Sequence, residues 1–110
     1  MVDDLHFGYL KSGIRTWNKW VGEYRRKYPE VVPDLSGVNL SHANLAEADL
    51  SWTNLSAADL HFAKLEQADL READLQVASL MQADLQRANL RLADLRGADI
   101  IGLDLSDADL

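Results

Sequence analysis

Residues 68–95 read ADLREADLQVASLMQADLQRANLRLADL, and the fold turns on this stretch. A leucine stands at every fifth position: Leu70, Leu75, Leu80, Leu85, Leu90 and Leu95. Each has Ala two residues before it and Asp or Asn one before it, with Ser79 the single exception here. Working outward, the series continues without a miss from Leu35 to Leu110: Leu35, Leu40, Leu45, Leu50, Leu55, Leu60 and Leu65 precede it, and Ile100, Leu105 and Leu110 follow. Across these sixteen pentapeptides the consensus is A-[D/N]-L-x-x, with Lys64 the other departure at the second position.

A period of five fits neither regular element. On an α-helix, five residues turn through about 500°, so successive leucines step by about 140° and spread around the cylinder. On a strand, an odd period sends alternate leucines to opposite faces. Either choice leaves many leucines in water, at roughly 1.5–3 kcal/mol each. A backbone that bends about a quarter turn per pentapeptide instead points every leucine at one axis. Four pentapeptides then make a coil of about twenty residues, and coils stack at roughly 4.8 Å. The axis is too narrow for two large side chains per pentapeptide, so one is large and one small. The Asp/Asn side chains are short acceptors suited to nearby backbone N–H groups at the bends.

With these residues the chain resembles the pentapeptide-repeat family over residues 33–110. The resemblance implies an all-β solenoid, a right-handed quadrilateral β-helix, here of about four coils, with the leucine and the small residue inward and three positions outward. The string GIRTWNKW (13–20) ahead of PDLSGVNL (33–40) also looks like the helical leader found before many bacterial domains of this kind.

Composition agrees with an aliphatic core, since hydrophobic residues make 47% of the chain but aromatics only 7%. There is no cysteine, which removes disulfides and thiolate metal ligands. The start MVDDLHFGYL has acids where a signal peptide needs bases, and no stretch approaches the roughly 20 apolar residues of a membrane span. No membrane association and a cytoplasmic location are therefore expected. Net charge is −7, divided unevenly: residues 1–32 hold six bases against four acids, residues 33–110 five bases against fourteen acids. Two units follow, an N-terminal helical cap over 1–32 and the repeat over 33–110. Ten of those fourteen acids are consensus Asp residues, so most of the negative charge comes with the repeat.

In the N-terminal unit, Leu10, Ile14, Trp17, Val21, Tyr24 and Tyr28 are spaced as one face of a helix over 10–28. Ser12 is the expected N-cap, Arg25, Arg26 and Lys27 suit the last turn, and Leu5, Phe7 and Leu10 suggest a shorter preceding helix. A solenoid end exposes leucines and unpaired backbone groups that something must cover. The Trp17, Trp20 and Tyr24 face is expected to lie over Leu35, Leu40, Leu45 and Leu50.

No phosphate loop, cysteine nucleophile or Ser–His–Asp arrangement is legible. Of the three histidines, His6, His42 and His61, a twenty-residue register makes His42 and His61 neighbours on adjacent coils, where two imidazoles could help bind a metal, but chance placement on the surface is the better reading. No catalytic residue, cofactor or metal site is assigned, and a filled solenoid offers no interior pocket.

The same register gathers His61, Met81 and Ile101 into an outer column with Phe62 beside it, an apolar candidate interface for another protein. Trp52 and Leu92 form a second apolar scatter, whereas the face with Glu47, Glu66, Gln67, Gln86, Arg87 and Asp107 is polar. Leu103 replaces the inward Ala near the end, and the sequence stops at Leu110 without a polar cap. Leu103, Leu105 and Leu110 are therefore the expected seam of an end-to-end homodimer, with a fragment of a longer chain as the other explanation of that ending.

The expected function is a non-enzymatic structural or protein-interaction module. The alternative, implied by some members of the family, is a DNA-mimicking inhibitor that binds a topoisomerase as an end-to-end dimer. Four coils rise about 19 Å, roughly half of the ~34 Å turn of B-DNA, so only a dimer would span a full turn. The −9 charge of the repeat disfavours direct nucleic-acid binding.

Overall fold

The structure is a computed structural model that describes residues 4–110, with only the backbone of Asp4 and Leu5; the first three residues of the N-terminal unit, and the Leu5 side chain, lie outside the described residues. Two helices lead the chain, α1 (Asp4–Lys11) and α2 (Ile14–Lys27). The expected continuous helix over 10–28 is therefore divided, and Leu10 belongs to α1. The break is chemical: Gly13 sits at φ 115 and is itself the residue before α2, with no side-chain cap. Ser12 turns the other way, its hydroxyl donating to the Gly8 carbonyl at 3.1 Å and closing α1 instead of opening α2.

From residue 34 onward the backbone repeats with a period of twenty. Parallel bridges pair Asp34 with Asn54, Asn39 with Asp59, Asn44 with Lys64 and Asp49 with Asp69, and so on to Asn89 with Asp109. No strand longer than an isolated bridge forms among the described residues, which refines the all-β expectation. Each side is one pentapeptide long, and a bend follows before a second bridge can form. The bonds between successive coils are nonetheless regular. Leu35 N–H donates to Asn54 O (2.8 Å), Gly37 N–H to Ser56 O (2.9 Å), and Asn54 N–H back to Pro33 O (2.9 Å).

The bend is a β-turn. Val38 N–H reaches Leu35 O at 3.3 Å, and equivalent bonds recur down the solenoid, as from Ala63 to Leu60 (3.0 Å) and Ala108 to Leu105 (3.0 Å). The second outward residue of each pentapeptide lies in the left-handed region. Three of these are glycines (Gly37, Gly97, Gly102), and twelve are not, from His42 and Glu47 through to Asp107. A positive φ at the third residue of the turn identifies the type II geometry that favours Gly or Asn.

The consensus Asp/Asn locks the same corner. Its side chain accepts the N–H two residues on, as in Asp34 to Ser36 (2.9 Å), Asp74 to Gln76 (3.0 Å) and Asp104 to Ser106 (2.9 Å). Where Ser follows the leucine, its hydroxyl donates to the same oxygen, for example Ser56 to Asn54 at 2.7 Å. The core is a single stack of leucines, with Leu50 through Leu85 fully buried and interleaved by buried alanines.

The helical segment closes the first coil by supplying partners that a preceding coil would have supplied. Trp17 Nε1–H donates to Asp49 O at 2.7 Å. Asn18 accepts Asp49 N–H (2.7 Å) and donates to Glu47 O (3.1 Å). His6 Nδ1 accepts Asp34 N–H at 2.8 Å. Arg25 clamps the Asp49 carboxylate at 3.0 and 3.1 Å and also donates to Ser51 O.

Candidate functional site

Because the axis is filled with Leu and Ala, the surfaces available for function are the outward positions and the cap. Among the cap aromatics, Trp17 is fully buried and joins Leu10 and Val21 in the core of the solenoid. Trp20 and Tyr24 are half-buried, and Trp20 packs against the edge of the same core. Trp20 stacks on Tyr9 (4.6 Å, 12°) and packs against His6 and Tyr24 (4.9 and 4.7 Å). These rings tie α1 to α2, while Trp17 reaches the coil edge. The roles of Asn18 and His6 were invisible in the sequence, because each depends on which backbone group of the first coil lies opposite.

The column predicted around Phe62 is present in register. Phe62 N–H bonds to Met81 O (2.9 Å) and Gln82 N–H to Ile101 O (2.8 Å), so His61, Met81 and Ile101 succeed one another on adjacent coils. Phe62 is 45% exposed and Ile101 69%, with Met81 half-buried. His42 stacks flat on Phe62 (5.1 Å, 3°), and both edges meet His61 at 5.2 and 5.6 Å. His61 Nδ1 lies 2.6 Å from Asp59 Oδ1, and that contact holds the Asp59 carboxyl below the usual carboxylate range. Asp59 thus occupies one ring nitrogen of the histidine pair. Among the described residues no three metal-ligating side chains gather.

A second apolar surface lies on the corner that follows Leu50, Leu70 and Leu90. Trp52 N–H donates to Arg71 O (2.8 Å) and Glu72 N–H to Arg91 O (3.0 Å), so Trp52, Glu72 and Leu92 stack on one column, with Arg71 and Arg91 beside it. Trp52 is 57% exposed and Leu92 79%. Trp52 is the shared wall of two clefts. One, of about 510 Å³, is lined by Arg71, Glu72, Arg91, Leu92 and Leu110; the other, of about 310 Å³, by Arg25, Pro29, Val31, Val32 and Pro33.

The acids are mostly structural in position. Nine consensus aspartates accept the N–H two residues on. Two of them also hold an arginine of their own pentapeptide, Asp69 with Arg71 (2.7 Å) and Asp94 with Arg96 (2.6 Å), and each carboxyl is lowered by that bond first. Glu66 behaves oppositely: its carboxyl is raised by burial and then by its contact with Asp84 on the next coil. At the far end, Leu103 and Leu105 are half-buried and Leu110 is exposed. No described helix is long and apolar enough to cross a membrane.

The twenty-residue register, the Asx-locked turns and the Leu/Ala axis are the features a family comparison must match. The family described as "Pentapeptide repeats" matches residues 34–71 and 73–110, in eight copies. The chain belongs to the pentapeptide-repeat family. Among solved structures, it is similar to a pentapeptide repeat protein from Nostoc Pcc 7120, 40% identical over 80% of this chain and 73% of that one, with a TM-score of 0.69. It is also similar to one from the cyanobacterium Cyanothece 51142 (36% identical, 70% and 53% covered, TM-score 0.68). A third is from the thylakoid lumen of Arabidopsis thaliana (35% identical, 68% and 52% covered, TM-score 0.67). The chain spans about half the length of the latter two. No curated protein matches it. Pentapeptide-repeat proteins are right-handed β-helical solenoids and structural modules.

Proposed function

We propose that the chain is a non-enzymatic protein-binding module, a quadrilateral scaffold of about four coils that offers side chains on its outer turns to another protein. One observation carries this. Trp52, Phe62, Val77 and Leu92 all occupy left-handed turn positions, at φ 52–61, and all are substantially exposed. A non-glycine residue in that conformation costs on the order of 1–2 kcal/mol. An exposed apolar side chain recovers little of it by burial. The left-handed turn favours Gly or Asn, and at equivalent positions the chain carries Gly37, Gly97 and Gly102 or polar side chains such as Glu47, Gln67 and Arg87. Large apolar groups held outward against that preference are what a protein-binding surface requires.

The Phe62–Met81–Ile101 column is the first surface to test. Affinity capture is run with the parent chain and with a Phe62→Asp/Met81→Asp variant whose circular dichroism and melting are unchanged. A protein retained by the parent and lost from the variant supports the module and that face. If retention survives this variant and also Trp52→Asn, the outer turns are not the interface. A chain that retains nothing beyond what an unrelated pentapeptide solenoid retains defeats the module itself.

A further inference from the structure

The corner column around Trp52 differs from the rest of the solenoid in charge as well as in exposure. Three pentapeptides carry Arg one residue after the central leucine: Arg71, Arg91 and Arg96. Arg71 and Arg96 fold back onto Asp69 and Asp94 and are neutralised there. Arg91 follows Asn89, whose neutral amide accepts the Arg91 N–H at 3.1 Å but offers no carboxylate. Among the described residues Arg91 has no ion-pair partner, and it lines the larger cleft with Trp52 and Leu92.

The same side is bordered by one cation from the cap: Arg25 lines the smaller cleft while clamping Asp49. Asp49 and Asp69 are therefore compensated by Arg25 and Arg71, and Glu72 is the one acidic side chain that lines the larger cleft. On a repeat that carries nine net negative charges, this cleft offers a carboxylate a guanidinium that no acid of the repeat has taken. Arg forks bind carboxylates bidentately, and Trp and Arg are among the side chains most enriched at energetic centres of interfaces.

We propose that the Trp52 corner is a docking site for an extended acidic segment of a partner protein. That segment carries two bulky apolar side chains, one seated on each side of the indole, and a carboxylate for Arg91. Trp52 walls both clefts, and an extended chain running along the column at roughly 3.3 Å per residue covers two to three coil rises of about 4.8 Å in three to four residues. The site rests on the protein-binding reading above but is separate from the Phe62 column.

The test is a selection of randomised twelve-residue peptides displayed on phage against the immobilised full chain. Peptides enriched in Asp/Glu, with two large apolar residues three or four apart, are expected. A synthetic peptide of that consensus should quench the exposed indole and bind more weakly as salt is raised. Its affinity should fall tenfold or more with Trp52→Asn and with Arg91→Glu, and be unchanged by Phe62→Asp. Asn tolerates the left-handed turn, and position 52 is exposed, so the first variant keeps the fold; the second is a surface change. Basic or neutral enriched peptides overturn the proposal, as does binding that survives both variants. Peptides that bind but are lost with Phe62→Asp/Met81→Asp leave the module reading standing and remove this site from it. No enrichment over an unrelated protein also overturns the site, while the module reading is judged separately by capture of whole proteins.

Discussion

Replacing Gly97 by Ala places a methyl group where the coil below has no room for it. The left-handed backbone is not the obstacle. Gly97 has φ +74, yet twelve equivalent residues bear side chains, and Ala57 stands two coils below in the same column at φ +57. The conformational cost of Ala, on the order of 1–2 kcal/mol, is partly offset by the ~0.4–1 kcal/mol gained from a stiffer unfolded chain. What distinguishes this site is Val77, whose Cγ1 would lie 2.9 Å from the new Cβ, while the next atoms, Val77 N and Cα, lie at 3.7 and 3.8 Å. Carbon atoms pack best at roughly 3.5–4.0 Å, so the contact is short by about half an ångström or more. Val77 is stiff at χ1, and either it leaves its rotamer or the coil shifts. Overpacking of this kind costs about 1–3 kcal/mol. Gly97→Ala should therefore destabilise by about 2 kcal/mol, a fall of roughly 8 °C or more in melting temperature. In Val77→Ala/Gly97→Ala most of that loss should return. Gly102→Ala is the control: its φ is +71, but the atoms it meets, at 3.2–3.4 Å, belong to the flexible Gln82 side chain. Urea unfolding gives the cycle, and exchange of the Val77 amide, which donates to Arg96 O beside the substitution, reports on the same corner. A coupling below about 0.5 kcal/mol, the range expected of independent sites, would refute the steric account, as would equal losses at Gly97 and Gly102.

Trp17→Phe keeps a large ring in the buried cap but leaves the Asp49 carbonyl without its donor; a loss of about 1–3 kcal/mol is expected in urea unfolding, and a loss under about 0.5 kcal/mol would mean that water replaces the indole. Stability should also fall in acid. Asp59, Asp69 and Asp94 have folded pKa values lowered, by His61, Arg71 and Arg96 respectively, so their contribution is present above the ordinary aspartate value near about 3.9 and is lost as pH falls through the lower folded values. The melting temperature should hold down to about pH 5 and drop below about pH 4. Glu66 has the opposite sign: its raised carboxyl favours the protonated form in the fold, so Glu66→Gln should raise the melting temperature at neutral pH by an amount that shrinks as the solution is acidified. A difference that instead grows in acid would show that burial and Asp84 do not raise the Glu66 carboxyl as described.

The coil was legible because period five fits neither helix nor strand, and a bend at every pentapeptide turns every leucine to one axis; the quadrilateral form came from the family resemblance. Its unit of twenty follows from the quarter turn, and the bridges run from residue i to i+20 throughout. The Asx role of the consensus Asp/Asn was legible from the chemistry of a short acceptor at a bend. The start of α2 was not. Ser12 has the composition of an N-cap, but the competing acceptor Gly8 O lies within its reach, and only the path of α1 decides between them. The cap bonds of Asn18, His6 and Arg25 were equally hidden, since periodicity marks a helix face and says nothing of which edge carbonyl or N–H that face will meet. For the outer surface, the register alone sufficed to put Phe62 beside Met81 and Ile101. Exposure is another matter: His42 lies flat on Phe62 and covers part of it, whereas no ring stacks on Trp52 among the described residues.

Charge is the feature most easily misread in a chain of this kind. A rod with nine net negative charges invites comparison with a nucleic-acid duplex, but a duplex presents phosphates whose oxygens are free to receive cations along its whole length. Here nine consensus carboxylates each commit an oxygen to a backbone N–H two residues on, two of them also bind an arginine of their own pentapeptide, and a third contacts a histidine. The acidity thus follows from closing square corners with Asp rather than Asn, and four corners do use Asn with the same bond. Information that distinguishes this solenoid from its relatives must then reside in the two outward residues of each pentapeptide, where the sequence varies freely. On those positions the departures from a bland polar surface are the Phe62 column, Val77, and the Trp52–Leu92 corner with its unpaired Arg91. The Asn at position 89 is what leaves that arginine free. Asn89→Asp preserves the corner bond and offers a carboxylate two residues from Arg91, as in the Asp69–Arg71 pair. It should therefore weaken acidic-peptide binding at the Trp52 corner without disturbing the fold. If binding is unchanged while the side-chain resonances of Arg91 shift as pairing with the introduced carboxylate requires, the guanidinium is not the group that recognises the partner.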